Sequence, residues 1–134
     1  MTTEEWLGRA ISIDSELEAL YAAREKMIDQ MTKATQTLSG DVVQSTKDPH
    51  VYDSLGELAL EIKRSVKQSQ QIKSEVLSAI SKVQNTSHRV LLTLRYVDGL
   101  SWEEVAVRMH YSYRHACRVH GRALIEISEV LKHG

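Results

Sequence analysis

Arg114, Arg118 and Arg122 recur at four-residue intervals in the stretch Tyr113-Arg114-His115-Ala116-Cys117-Arg118-Val119-His120-Gly121-Arg122. On a helix that spacing stacks side chains along one face. A guanidinium is a planar fork that binds a phosphate, or O6 and N7 of guanine together, so the chemistry on offer is recognition of nucleic acid. At about 100° per residue, Ala116, Val119, His120, Ala123 and Ile127 fall on one side, while Arg114, Cys117, Arg118, Gly121 and Arg122 fall on the other. From Tyr113 to Arg122 the second face carries no acid, and Gly121 permits close approach. Tyr113 and His115 flank it at the N-terminal end, the part of a recognition helix that meets base edges.

Other chemistries find little support. His110, His115 and His120 are spaced by five, which does not make helical neighbours, and Cys117 is the one cysteine, so no metal is expected. No Cys–His arrangement is evident, and Cys117 reads as a small surface or boundary residue. Glycine-rich phosphate loops and paired carboxylates are missing. The chain is therefore not expected to be an enzyme or to use a cofactor or a small-molecule substrate.

The arginine face needs elements to hold it. Ser112 is placed to cap the helix that carries it, which is expected to run to about Leu131, and His110-Tyr111 supplies a tight turn before the cap. Ahead of the turn, Ser101 and Glu104 form a capping box for a short helix with Trp102, Val105, Ala106 and Met109 pointing inward. A short helix, a turn and a longer helix describe a helix-turn-helix. Upstream again, Ser87 is expected to cap a helix over His88–Val97 with Val90, Leu91, Leu94 and Val97 on one side, closed by Asp98-Gly99.

The first half of the chain has a different pattern. Thr2 and Glu5 form a capping box, after which Trp6, Ala10, Ile13, Leu17, Leu20, Arg24, Met27 and Met31 alternate steps of four and three. This predicts a helix over about Thr3–Met31. Residues 32–48 turn to Thr, Ser, Gln and Gly and are expected to form a mobile connection. A second long helix, over about 50–84, starts either at Asp48-Pro49 or at the Ser54–Glu57 box. It carries Leu55, Leu58, Ile62, Ser65, Ser69, Ile72, Val76, Ala79 and Val83 in one seam, widened by Val66, Leu77 and Ile80. Two such seams must be covered by pairing as an antiparallel hairpin, with a second chain, or both. The wide stripe of the second helix favours a homodimer through Ile13, Leu17, Leu20, Met27, Ile62, Val66, Ile72, Val76 and Ile80. Residues 1–84 thus read as a helical, coiled-coil-like oligomerisation module and 87–134 as a DNA-binding domain.

Composition agrees with an all-α chain: 134 residues with one proline, six glycines and no phenylalanine. Seventeen Lys and Arg against eighteen acids exclude bulk basicity, so any nucleic-acid binding is local. From Ser87 onward seven basic residues face five acids, against ten and thirteen before it. The longest apolar run, Ala19–Ala23, is five residues, so no membrane span is expected. A cytoplasmic location is expected.

Leu94-Arg95-Tyr96, Gly99, Ser101, Glu104-Val105-Ala106, Tyr111-Ser112 and Arg122-Ala123-Leu124 resemble region 4 of bacterial sigma factors, the helix-turn-helix that reads the promoter minus-35 element. The likeness covers roughly the last 45 residues. With Glu4-Glu5-Trp6-Leu7, Arg9-Ala10 and Ile13-Asp14 at the start, the chain resembles small phage and prophage proteins of Gram-positive bacteria placed among transcriptional regulators. The resemblance implies DNA reading by Ser112, Tyr113, Arg114, His115 and Arg118, phosphate approach at Ser101 and Trp102, and a place in the bacterial host nucleoid. Arg108 and Arg122 add local positive charge. His110 departs from the pattern, which has glycine there, and Ala116 replaces Val or Ile.

The expected function is a sequence-specific regulator that activates phage late or packaging genes, with double-stranded DNA and host RNA polymerase as partners. The alternatives are a small-terminase-like packaging protein and an adaptor of RNA polymerase that does not bind DNA. Small terminases usually place the helix-turn-helix before the oligomerisation segment, and here it comes last.

Overall fold

A computed structural model describes the backbone of residues 1–37 and 49–133, and the side chains of residues 1–33 and 52–133. The described chain is helical throughout: α1 (Thr3–Thr37), α2 (Pro49–Ser81), α3 (Thr86–Leu92) continued by a π turn (Thr93–Val97), α4 (Trp102–Met109) and α5 (Tyr113–His133). The expected connection over 32–48 is helical to Thr37, because α1 runs two turns past Met31. Its remainder, with the Asp48 cap, lies outside the described residues. Helix α2 begins at Pro49, where a missing backbone N–H costs nothing, so Ser54 and Glu57 stand inside the helix.

The chain divides into two compact units, one of Met1–Ile13 with Ser69–Gly134 and one of Asp14–Gln68. The division crosses both long helices instead of falling between residues 84 and 87. In the first unit Leu7, Ala10 and Ile13 of α1 share one core with Ile72, Val76, Ala79 and Ile80 of α2, Leu91, Leu92 and Tyr96, and Val105, Val119, Ala123 and Ile127. The start of α1 and the end of α2 therefore belong to the core that carries α4 and α5. Pairing here is made within one chain: Arg9 donates to Glu75 at 3.0 Å and its guanidinium lies 4.8 Å from the Trp6 ring centre. Thr2 and Glu5 cap α1 reciprocally, at 3.1 and 3.3 Å.

Of the residues assigned to self-association, Ile13, Ile72, Val76 and Ile80 are consumed by this core. In the second unit Ile62 is buried, Leu17, Leu20, Met27 and Val66 are half-buried, and Arg24 turns outward with its guanidinium 5.0 Å from the Tyr21 ring centre.

The link from α2 to α3 is held by two side chains. Arg89 donates to the carbonyls of Val83 and Gln84 at 2.6 and 2.9 Å and to the Thr86 hydroxyl at 3.2 Å. From α5, the Glu126 carboxylate accepts from the backbone N–H of Gln84 and Asn85 at 3.1 and 3.4 Å, and meets His88 Nδ1 at 2.7 Å. Asn85, not Ser87, caps α3, accepting from the His88 N–H at 3.2 Å. The π turn then shifts the helical register. The Thr93 hydroxyl bonds the Arg89 carbonyl at 2.8 Å where it begins, and the Asp98 N–H reaches Thr93. Leu91 and Leu92 of α3 and Tyr96 of the π turn are buried, while Val90 is exposed and Leu94 and Val97 are half-buried.

Candidate nucleic-acid interface

Helices α4 and α5 are set by their ends. The Ser101 hydroxyl accepts from the Glu104 N–H at 3.2 Å and donates to its carboxylate at 3.1 Å. At the other end of α4, His110 takes the left-handed conformation, φ 59° and ψ 37°, where glycine would be unstrained. Its N–H and that of Tyr111 return to carbonyls of the last turn, Val107 at 3.2 Å and Ala106 at 2.9 Å. Histidine is among the residues that enter this region, so the sharp turn forms here without a glycine. Ser112 then caps α5 by accepting from the His115 N–H at 3.1 Å.

Under α5 lies a polar and aromatic stack. The Tyr96 hydroxyl and His120 Nε2 are 2.7 Å apart, the Trp102 ring packs on His120 with centres 4.3 Å apart, and the Arg95 guanidinium lies 5.0 Å from the Trp102 ring centre. Arg95 also donates to the Leu100 carbonyl at 2.9 Å, tying the turn after Gly99 to the same stack. Burial lowers the His120 pKa below 6.5, chiefly because the charged ring would lose its water. Tyr96 is pushed up to about 12, again mainly by burial, with Glu4 of α1 adding to it. Both groups are therefore neutral near pH 7.

The outward face of α5 is laid out as the helical angles require. Ala116, Val119, Ala123 and Ile127 are buried, His120 is half-buried, and Arg114, Cys117, Arg118, Gly121 and Arg122 are exposed. Among the described residues no ion pair or hydrogen bond engages Arg114, Arg118 or Arg122. Tyr113 is 52% exposed, and its phenol is held above its ordinary pKa by Cys117 first and Glu103 of α4 next. His115 is half-buried with its ring against Tyr111, centres 4.5 Å apart.

The nine residues singled out for DNA contact thus divide. Ser112, Tyr113, Arg114, His115, Arg118 and Arg122 all stand on α5 or its cap, with Ser112 and His115 partly committed to the turn. Ser101 builds the α4 cap and Trp102 builds the stack beneath α5. Arg108 lies on α4, lining a shallow groove with Glu103, Glu104 and Val107. Arg89 and Arg95, basic residues of the same half, are spent inside the fold. Glu103 and Tyr96 were not singled out. Tyr96 could have been suspected, since a tyrosine in a core needs a partner for its hydroxyl and His120 lies on the inward face of α5.

No family model matches the chain, and comparison with curated proteins and with solved structures found no match. What the described residues define is an all-helical chain in which no helix is long and apolar enough to cross a membrane.

Proposed function

We propose that the chain is a sequence-specific DNA-binding transcriptional regulator of phage type, with α4, the turn 110–112 and α5 acting as a sigma region 4-like helix-turn-helix. The observation that carries this is the α5 face: three exposed, unengaged arginines with no acid among them, on a helix whose first residues, Tyr113 and Arg114, are exposed. The chain is near neutral overall, so such concentration of positive charge is local. By resemblance, the regulator activates late or packaging genes beside host RNA polymerase, and a second copy of the chain supplies the other half-site.

In vitro selection of duplex DNA by the full chain tests the reading. Arg114→Ala and Arg118→Ala should each weaken the selected site by about 1–3 kcal/mol while helicity and thermal midpoint stay unchanged. Affinity should also fall steeply with salt, at a slope set by the few phosphate contacts. Failure to enrich any duplex, or a slope near zero, would favour a polymerase adaptor instead.

A further inference from the structure

On the reading of α4 and α5 as the DNA-reading pair, we infer that the stack of Arg95, Trp102, His120 and Tyr96 is a proton-operated latch, closed while His120 is neutral and opened by mild acid, so that recognition of the selected duplex is regulated by pH.

His120 is where three elements meet. Tyr96 comes from the π turn, Trp102 from the first turn of α4, and Arg95 joins the two by lying on the Trp102 ring and donating to the Leu100 carbonyl. Tyr96 is 3% exposed, and among the described residues its hydroxyl has no acceptor but His120 Nε2, so the O–H donates to the ring. A second proton on the imidazole goes to that same nitrogen. Donor then faces donor, and the phenol proton is left without a partner in the core.

Charge acts in the same sense. The fields that reach the ring are those of Glu4 of α1, which favours the cation, and Arg95 of the π turn, which opposes it. From α4 it meets only the uncharged Trp102, whose ring already carries the Arg95 guanidinium. Burial is the largest influence, and the balance favours the neutral ring. An imidazolium is accommodated only where water reaches it, with α5 drawn off Tyr96 and Trp102.

The opening is confined to one half of α5. Ahead of His120 the buried side chains are the small Ala116 and Val119, and Arg114 and Arg118 stand on this half. Beyond it, Glu126 fastens the helix to Gln84, Asn85 and His88. The Glu126 carboxyl titrates below 4.5 because the His88 hydrogen bond favours its charged form, whereas a solvated His120 titrates near 6.5. Between those values the latch opens while the Glu126 clasp holds.

The experiment measures, at constant salt, the affinity of the full chain for its selected duplex and for an unrelated one from about pH 7.5 to about pH 5.5, with amide protection factors along α5. The ratio of the two affinities should fall with pH, by at most about tenfold per pH unit for a single proton. Protection should drop over residues 116–120 and persist over 127–131. His120→Gln, which can accept from Tyr96 and takes up no proton, should hold the ratio level. Tyr96→Phe, which removes the donor that favours the neutral ring, should move the fall to higher pH. A ratio that ignores pH, or that falls equally in His120→Gln, overturns the latch and leaves the DNA reading intact. If no duplex is selected, the DNA reading fails and protection decides the latch: a loss in the first half of α5 alone supports it, and no difference between the halves overturns it.

Discussion

Tyr96 and His120, twenty-four residues apart, are joined by a 2.7 Å hydrogen bond that ties the π turn to the middle of α5. The bond lies on the inward side of the helix whose outward side carries the arginines. Tyr96→Phe removes one partner and leaves the His120 nitrogen half-buried without it, a loss of about 1–3 kcal/mol by urea denaturation. In a His120→Leu background the same substitution should cost far less, because no orphan group remains.

The same pair shapes the pH dependence of stability. The unfolded chain binds a proton at His120 near pH 6.5, whereas the folded chain does so only at lower pH, so stability falls as pH drops below 6.5. Glu126 acts in the same direction further down: its pKa is lowered by the hydrogen bond from His88, so its contribution is present above 4.5 and lost as pH falls through its folded value. At the alkaline end, Tyr96 ionises near 10.0 when unfolded and about 12 when folded, and stability falls across that interval. Denaturation midpoints measured from about pH 3 to about pH 12 should trace this dome, and His120→Gln should flatten its limb just below 6.5.

His110 holds φ at 59° without being a glycine. His110→Gly should raise stability by about 1 kcal/mol by removing the clash of Cβ in the left-handed region, and His110→Val should lower it by more than that. Thermal unfolding of the two variants checks the sign.

A Cβ built on Gly121 meets nothing within 4 Å. Gly121→Ala should therefore stabilise α5 by about 1 kcal/mol. If α5 lies in the major groove, the same methyl should weaken binding to the selected duplex. A variant that is more stable yet binds less tightly separates a contact surface from a solvated one, and calorimetry with fluorescence anisotropy measures both.

In the Asp14–Gln68 unit Ile28 and Leu60 are exposed, at 48% and 61%. If the second copy pairs there, analytical ultracentrifugation should find a dimer, and Leu60→Glu should give a monomer of unchanged helicity with reduced affinity for a two-half-site duplex. A wild-type chain that stays monomeric while binding such a site tightly would remove the dimer from the proposal.

Much of the architecture is local and hence legible in the residues themselves. Thr2 with Glu5, Ser101 and Ser112 act as caps because their hydroxyls meet N–H groups within three residues, and the inward set of α5 follows from helical angle alone. The second seam is legible over most of its length: Ile62, Ser65, Ser69, Ile72, Val76, Ala79 and Val83 are buried, while Leu55 and Leu58 at its start are half-buried. Tertiary structure decided what depends on distant partners. The π turn holds the buried Tyr96, and a widened turn leaves no mark on a 3.6-residue period. Glu126 became a clasp on Gln84 and Asn85, and Arg89 and Arg95 were drawn into backbone carbonyls, because the acceptors exist only once the chain has turned there. The spacing of charges showed where the arginines stand, but only packing decided which remain exposed. Packing also joined the first thirteen residues to the core beneath α5, a contact over roughly a hundred residues that no periodicity encodes.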